Sequence, residues 1–346
     1  MARTTIDDVA KEAGVSVSTV SRALRGLDKV NPQTRLRVEE AAARLHFSFS
    51  KTASSLASGK TMRVAVLLPN EISDWFNANA FEGVYEVLSK EGYDVVPYVM
   101  WSEQDLDRFF QTLPGTQNVD AIIVTSFDLD DDKKRVLSEL TLPVIGINTP
   151  TNDGLDASAA IDDVEAMRAV VRLLHSLGHA SVAYVEQPAN PSPFVCSDSV
   201  RLQGFLDAVD ELGYDDDQVM TIPSMRGKDA RDMQTAISDL AAQLLSAPSK
   251  PTGICVESDR CAVLLRKELD RLGWKIPDEV SLVGFDGDNL GDLAELTTVR
   301  QDPVAIGRAA ALKALALMKG EALDEPYSVM PTSLVMRSTT ARVAPR

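Results

Sequence analysis

TTIDDVAKEAGVSVSTVSRALRG, residues 4–26, is the stretch whose periodicity decides how the chain begins to fold. Thr5 and Asp8 have the spacing of a capping box, and Ile6, Val9, Ala10 and Ala13 recur on one helical stripe. They predict a helix over 6–13. Gly14 then supplies the backbone freedom that a tight inter-helix turn needs. Val15 buries the turn, and Ser16 is a suitable N-cap for a second helix over about 17–24. Val20, Ala23 and Leu24 face inward there, which leaves Val17, Ser18, Ser21, Arg22 and Arg25 outside. Further on, Asn31-Pro32 reads as N-cap and first turn of a third helix running to about Leu45, with Val38, Ala42 and Leu45 inward.

Two short helices joined by a glycine-containing turn, the second with a polar face bearing arginine, describe an all-α helix-turn-helix head. Such a face fits the major groove of DNA. Arginine can fork onto guanine, serine can bond several base edges, and a valine can meet a thymine methyl. The same residues would also suit a three-helix cap with a solvated charged face.

Charge bears on the first of these readings. The chain of 346 residues has a net charge of −16, which by itself disfavours nucleic acid. Residues 1–60 nevertheless carry ten Lys/Arg and six Asp/Glu (+4), against 25 and 45 (−20) in the remainder. A basic head on an acidic body implies one segment that meets phosphates.

Composition, with 45% hydrophobic and 25% charged residues, is that of a soluble globular protein. No apolar run of about 18 residues suggests a membrane span. The N-terminus carries acids where a signal peptide needs an apolar stretch, so a cytoplasmic location is expected. Cys196, Cys255 and Cys261 lack CxxC spacing and read as free thiols. His175 and His179 are four apart, but Gly178 lies between them, so a zinc pair is not expected. No GxGxxG, P-loop, GxSxG or HExxH pattern occurs, and GFDGDNLG (284–291) has the wrong glycine spacing for a dinucleotide. Neither a cofactor nor catalysis is expected.

From Met62 onward short β-rich runs alternate with amphipathic helices. RVAVLL (63–68), DVVPYV (94–99), AIIV (121–124) and PVIGI (143–147) form one set; SVAYVE (181–186), QVMTI (218–222), GICV (253–256) and VSLVGF (280–285) form a second. The pattern predicts an α/β body of two lobes with doubly wound parallel sheets, and a ligand cleft beyond the carboxyl ends of the strands. Between head and body, FSFSKTASSLASGK (47–60) is short of bulky apolar residues and reads as a linker. It could form two helical turns, too few to persist alone in water.

The words DVAxxAGVSxxTVSRxL and VNPQTRxRVExAAxxLxF in the head closely resemble the lactose/galactose repressor (LacI/GalR) family. In the body, LGHASVAYV (177–185), SDSVRLQGF (197–205), GICVESDRCA (253–262), PDEVSLVGFDG (277–287) and LTTVRQDPVAIG (296–307) extend the resemblance over nearly the whole chain. The fold it implies is a helix-turn-helix domain (1–48), a hinge (49–61) and a periplasmic-binding-protein-like effector domain (62–346). Within the latter, the N-lobe would be about 62–161 plus 292–325 and the C-lobe about 162–291 plus 326–340. The function it implies is a homodimeric transcriptional regulator, a repressor of carbohydrate-utilisation genes, whose hold on a near-palindromic DNA operator is controlled by a small-molecule effector, a sugar in the first instance. A nucleobase effector, a solute-binding protein of the same body fold and an enzyme are the rival readings.

Residue by residue, the resemblance makes Val17, Ser18 and Arg22 base readers and Ser16, Thr19, Ser21 and Thr34 phosphate contacts. Leu56 would be the hinge residue wedged into the minor groove. Phe49-Ser50 stands where the family usually has Pro-Asn. In the cleft, Arg201 would clamp the effector and Asp286 would accept hydrogen bonds from it. Ser258 stands where an Asn is common. Asp74 and Phe76 fall in the loop after the first strand, and Thr125 and Phe194 are placed near the ligand by loop position. Arg201 paired with Asp198 or Asp207, Asp286 as an N-cap, and Trp75 and Phe76 as core packing are the structural alternatives.

Overall fold

The computed structural model describes residues 4–24, 30–47, 60–116, 118–188, 194–223 and 233–343. The chain divides into two compact units, Met1–Met62 and Arg63–Arg346.

The head holds α1 (Ile6–Ala13), α2 (Val17–Leu24) and α3 (Pro32–Arg44). The capping box forms as expected: Asp8 N–H donates to the Thr5 hydroxyl, and Thr5 N–H donates to the Asp8 carboxylate at 2.8 Å. Gly14 adopts φ +67°, and the next amide, on Val15, reaches back to the Ala10 carbonyl at 3.0 Å. A residue with a Cβ would strain that left-handed turn. Val9, Val20 and Val38 are fully buried where the three helices meet, with Ala23 and Ala41 beside them. Leu56 and Arg25 lie outside the described residues.

The body begins with β1 (Arg63–Leu68), α4 (Trp75–Leu88), β2 (Asp94–Val99), α5 (Glu103–Thr116), β3 (Ala121–Thr125), α6 (Asp131–Leu140), β4 (Val144–Ile147) and β5 (Ala157–Ala160). The chain then crosses to a second set: α7 (Asp163–Ser176), β6 (Val182–Val185), α8 (Arg201–Glu211), β7 (Val219–Ile222), α9 (Met233–Ser246), β8 (Gly253–Val256), α10 (Asp259–Arg271), β9 (Ser281–Asp286), α11 (Asn289–Leu293) and β10 (Thr297–Arg300). It returns for α12 (Pro303–Met318) and β11 (Tyr327–Val329), and crosses once more for β12 (Ser333–Val335). One sheet has the order β11-β5-β4-β3-β1-β2, the other β12-β10-β9-β8-β6-β7. Among the described residues, the named strands pair in parallel except β10 with β12. Apolar runs such as Val64–Leu68 and Ala121–Val124 are buried on both faces, as strands sandwiched between helices must be.

The α/β two-lobed architecture is the expected one, but the crossovers fall elsewhere. Thr297–Arg300 pairs with β9 in the second sheet, so the return lies near residues 301–302 and not at 292. Tyr327–Val329 pairs with β5 in the first sheet, so the last crossing follows it and does not precede 326. Both strands are too short for periodicity to assign to a lobe. Among the described residues, no helix is long and apolar enough to cross a membrane.

Candidate DNA-reading and ligand-binding sites

On the head, burial leaves one side of α2 open. Val17 is 39% exposed, and Ser18 and Arg22 are also exposed, whereas Val20 and Ala23 anchor the opposite side. An exposed valine at a helix start is an odd choice for solvent and a suitable one for a thymine methyl. Ser16 caps the helix by accepting from Thr19 N–H at 3.2 Å, and its hydroxyl also meets those of Ser18 and Thr19 at 2.9 Å. Three hydroxyls thus cluster at the N-terminus of α2, where the helix dipole favours a phosphate. Ser21 and Thr34 are half-buried on the same small unit.

In the body, a cavity of about 760 Å³ opens where the carboxyl ends of both sheets converge. Each sheet switches winding direction there, between β1 and β3 in one and between β6 and β8 in the other, which is where doubly wound folds bind ligands. Asp74, Phe76, Phe194, Arg201, Ser258 and Asp286 all line it. Thr125 does not, which corrects its assignment. It is fully buried at the last position of β3 and its hydroxyl has no partner, while the next residue, Ser126, reaches the cavity. Successive side chains of a strand point to opposite sides, so a loop-position guess is easily one residue out.

Arg201 is the centre of the site and is held differently from a simple clamp. Its Nε donates to Asp163 Oδ1 at 2.7 Å and its Nη1 to the Glu257 carbonyl at 2.6 Å, with Asp286 Oδ1 3.5 Å from Nη1. The guanidinium also lies 3.7 Å over the Phe285 ring. Neither Asp198 nor Asp207 forms an ion pair with it; Asp207 pairs with Arg168 at 2.6 Å. With these edges occupied, Nη2 is the donor left for a ligand.

The network continues on both sides. Asn148, at the end of β4, donates to Asp163 Oδ2 at 3.1 Å and accepts from Ile161 N–H at 2.9 Å, so it ties the first lobe to the start of α7. Gln301, in the second crossover, donates to Asp286 Oδ1 at 2.9 Å and keeps a buried Oε1 without a partner. Asp286 adopts φ +115°, a strained conformation costing about 1–3 kcal/mol, of the kind that gathers at binding sites. Burial pushes its carboxyl well above the usual carboxylate range, and the charge of Arg201 opposes that shift. Asp163 is raised in the same way, by burial against the pull of Arg201.

Asp163, Asn148, Glu257 and Gln301 were not anticipated. Asp162-Asp163 reads as one N-cap pair, and Asp162 does cap α7. Nothing in the sequence says that its neighbour turns inward. Asp74 and Ser258 line the cavity but also have structural work, capping α4 and α10. Phe194 rests against Phe127 with ring centroids 4.7 Å apart.

Glu257 sits beneath this network, accepting from Gln187 N–H at 2.8 Å and from the Tyr184 hydroxyl at 3.2 Å. Burial, reinforced by Asp198, raises its pKa from 4.5 to about 8. The folded state therefore holds a proton that the unfolded chain releases. This contribution to stability is complete below about pH 4.5 and is lost as pH rises through about 8. Glu257→Gln is expected to flatten the fall in Tm between those limits; an unchanged slope would refute the assignment. Among the described residues, no group of three or more His, Cys, Asp or Glu side chains is placed to hold a metal ion.

An exposed, arginine-bearing helix-turn-helix face and a two-lobed body enclosing a ligand-sized cavity define a transcription regulator with a separate effector domain. Residues 5–49 match the family described as bacterial regulatory proteins, lacI family, and residues 171–340 match the periplasmic binding protein-like domain. The chain thus combines a LacI-family DNA-binding domain with a periplasmic-binding-protein-like domain, and its relatives are LacI-type regulators. Catabolite control protein A of Priestia megaterium is 28% identical, covering 97% of this chain and 99% of that protein. The ribose operon repressor of Halalkalibacterium halodurans is 29% identical, with 97% of each covered. Among solved structures, the lac repressor dimer bound to operator and an anti-inducer shares the fold at TM-score 0.83, with 23% identity over 98% of this chain and 100% of that one.

Proposed function

We propose that this regulator is a homodimeric repressor, without catalytic activity, whose grip on a near-palindromic operator is set by a sugar bound in the cleft. The observation that supports a sugar is the lining itself. Hydrogen-bonding side chains of Arg201, Asp286 and Gln301 line the cavity together with the aromatic residues Trp75, Phe76, Trp101 and Phe194, and a sugar ring presents both hydroxyls and an apolar face. The name of the ribose operon repressor agrees with this, and a role on operator DNA supports a cytoplasmic location. The buried carboxylates around the cleft are engaged in holding Arg201 or backbone amides, which suits a binding site more than a reaction centre.

Val17, Ser18 and Arg22 are assigned to base edges, Ser16, Thr19, Ser21 and Thr34 to phosphates, and Leu56 to the hinge wedge. Arg22→Ala is expected to cost on the order of 1–3 kcal/mol of operator affinity, concentrated at one position per half-site. Competition binding against single-base operator variants measures this; a loss spread evenly over all sequences contradicts base reading. The effector assignment is tested by thermal shift against a panel of sugars and nucleobases. A ligand at 100 times its Kd adds about 2.7 kcal/mol, enough for a clear rise in Tm. A panel in which only nucleobases raise Tm would replace the sugar.

A further inference from the structure

Charge and capping around the cleft narrow the ligand class, an inference that rests on the small-molecule reading above and makes it sharper. Six carboxylates line the cavity, from Glu71, Asp74, Asp198, Asp239, Asp286 and Asp288. Among the described lining residues only Arg201 and Arg260 are cationic. Arg201 is already neutralised by Asp163 and Asp286. Arg260 is exposed at the start of α10 and acts through its charge on Asp74.

Proteins hold phosphate and carboxylate groups with arginine forks, lysines and the free amides of helix N-termini. At three helix starts and one turn around this cleft the amides are taken by the protein's own side chains. Asp74 accepts from the amides of Phe76 and Asn77 at 3.1 and 3.4 Å, and Ser258 accepts from Cys261 at 3.3 Å. Asp288 accepts from Gly291 at 2.6 Å. The turn after β9, where Gly287 and Asp288 amides point together, is filled by Asp259 at 2.9 and 3.0 Å. Each of these four places contains a carboxylate or a hydroxyl of the chain itself, whereas the helical start at Ser197, which also lines the cavity, has no side-chain cap and carries Asp198 beside it. An incoming anion would meet like charge in a setting that screens it poorly, or would force neighbouring carboxylates to take up protons.

We propose that the effector carries no anionic group: the cleft admits uncharged polyhydroxylated molecules, gains from a cationic substituent, and excludes sugar phosphates and uronic acids. The carboxylates serve as acceptors for ligand hydroxyls, and the amides already capped by Asp74, Ser258, Asp259 and Asp288 are closed to a phosphate.

Cys196 lines the cavity, whereas Cys255 and Cys261 are 0% and 2% exposed, so a thiol reagent reports the cleft of the intact protein. Methanethiosulfonates bearing trimethylammonium or sulfonate are compared at low salt, each rate divided by that of an unstructured thiol. The expected ratio of normalised rates favours the cation by on the order of tenfold and collapses at high salt. A ratio at or below one overturns the proposal. Should Cys196 not react with either reagent, Trp101→Cys carries the same comparison, since Trp101 lines the cavity and is 58% exposed. In parallel, Tm is measured with matched pairs: glucose and glucose 6-phosphate, ribose and ribose 5-phosphate, galactose and galacturonate. An anionic member that raises Tm more than its neutral parent also overturns the proposal. A cation-selective cleft that responds to no sugar in the panel removes the sugar reading and leaves the charge selection standing.

Discussion

Arg201→Ala is expected to destabilise the body by about 3–5 kcal/mol and to abolish its response to effector. The magnitude is that of breaking a buried ion pair from one side. Arg201 and Asp163 side chains are only 6% and 4% exposed, so removing the guanidinium leaves a buried carboxylate with Asn148 as its remaining partner. Asp286 loses its nearest cation at the same time, and the Glu257 carbonyl loses its donor. Both acids would then take up protons, so the deficit should shrink at low pH and widen as pH rises. Urea denaturation of wild type and variant at two pH values reads this directly. A loss below about 1 kcal/mol would mean that the pair is solvated and the network is not what joins α7, α8 and β9 at the cleft. Arg201→Lys is expected to recover only part of the loss, because an ammonium cannot keep the Asp163 and Glu257 bonds together or lie flat on Phe285.

Gly83→Ala should have a comparable effect for a different reason. In an exposed helix this change would stabilise by about 1 kcal/mol. Here α4 and α12 approach so closely that a Cβ on Gly83 would lie 2.1 Å from the Val304 carbonyl oxygen and 2.9 Å from the Arg308 nitrogen. Gly307 makes the reciprocal approach: a Cβ added there would collide with the Ala80 carbonyl oxygen. Both obstacles are backbone, which cannot rotate away, so the helices must separate. Overpacking typically costs about 1–3 kcal/mol and occasionally more, and the upper end is expected where both obstacles are backbone. Gly115→Ala, in α5 with nothing among the described residues within 4 Å of the added carbon, is the control expected to be neutral or slightly stabilising. Equal stability changes in the two variants, measured by thermal or urea unfolding, would contradict the close approach.

What could be read from the sequence followed the range of the forces involved. Helix ends in the head are local matters of capping and glycine geometry, and Thr5, Gly14, Ser16 and Asn31 marked them at the observed residues. Central strands bury both faces, so runs such as RVAVLL and GICV stood out by hydrophobicity alone. The edge and crossover strands β5, β10, β11 and β12 did not. They are three or four residues long and take their place from partners far along the chain. The cleft behaved likewise. Arg201 and Asp286 were legible through family words, but Asp163, Asn148, Glu257 and Gln301 enter by tertiary approach from four separate segments, and no spacing encodes that. Thr125 failed by one residue for the same reason: the turn after β3, with Ser126 at φ +62°, decides which residue lines the cavity.

The measurement closest to the central claim is selection of operators from a random pool of duplexes by the full-length protein and by its Arg22→Ala variant. If the outward side of α2 reads bases, wild type enriches a two-fold symmetric site, and the variant enriches the same site with one position per half relaxed. No enrichment by wild type, or identical sites from both proteins, would contradict the claim.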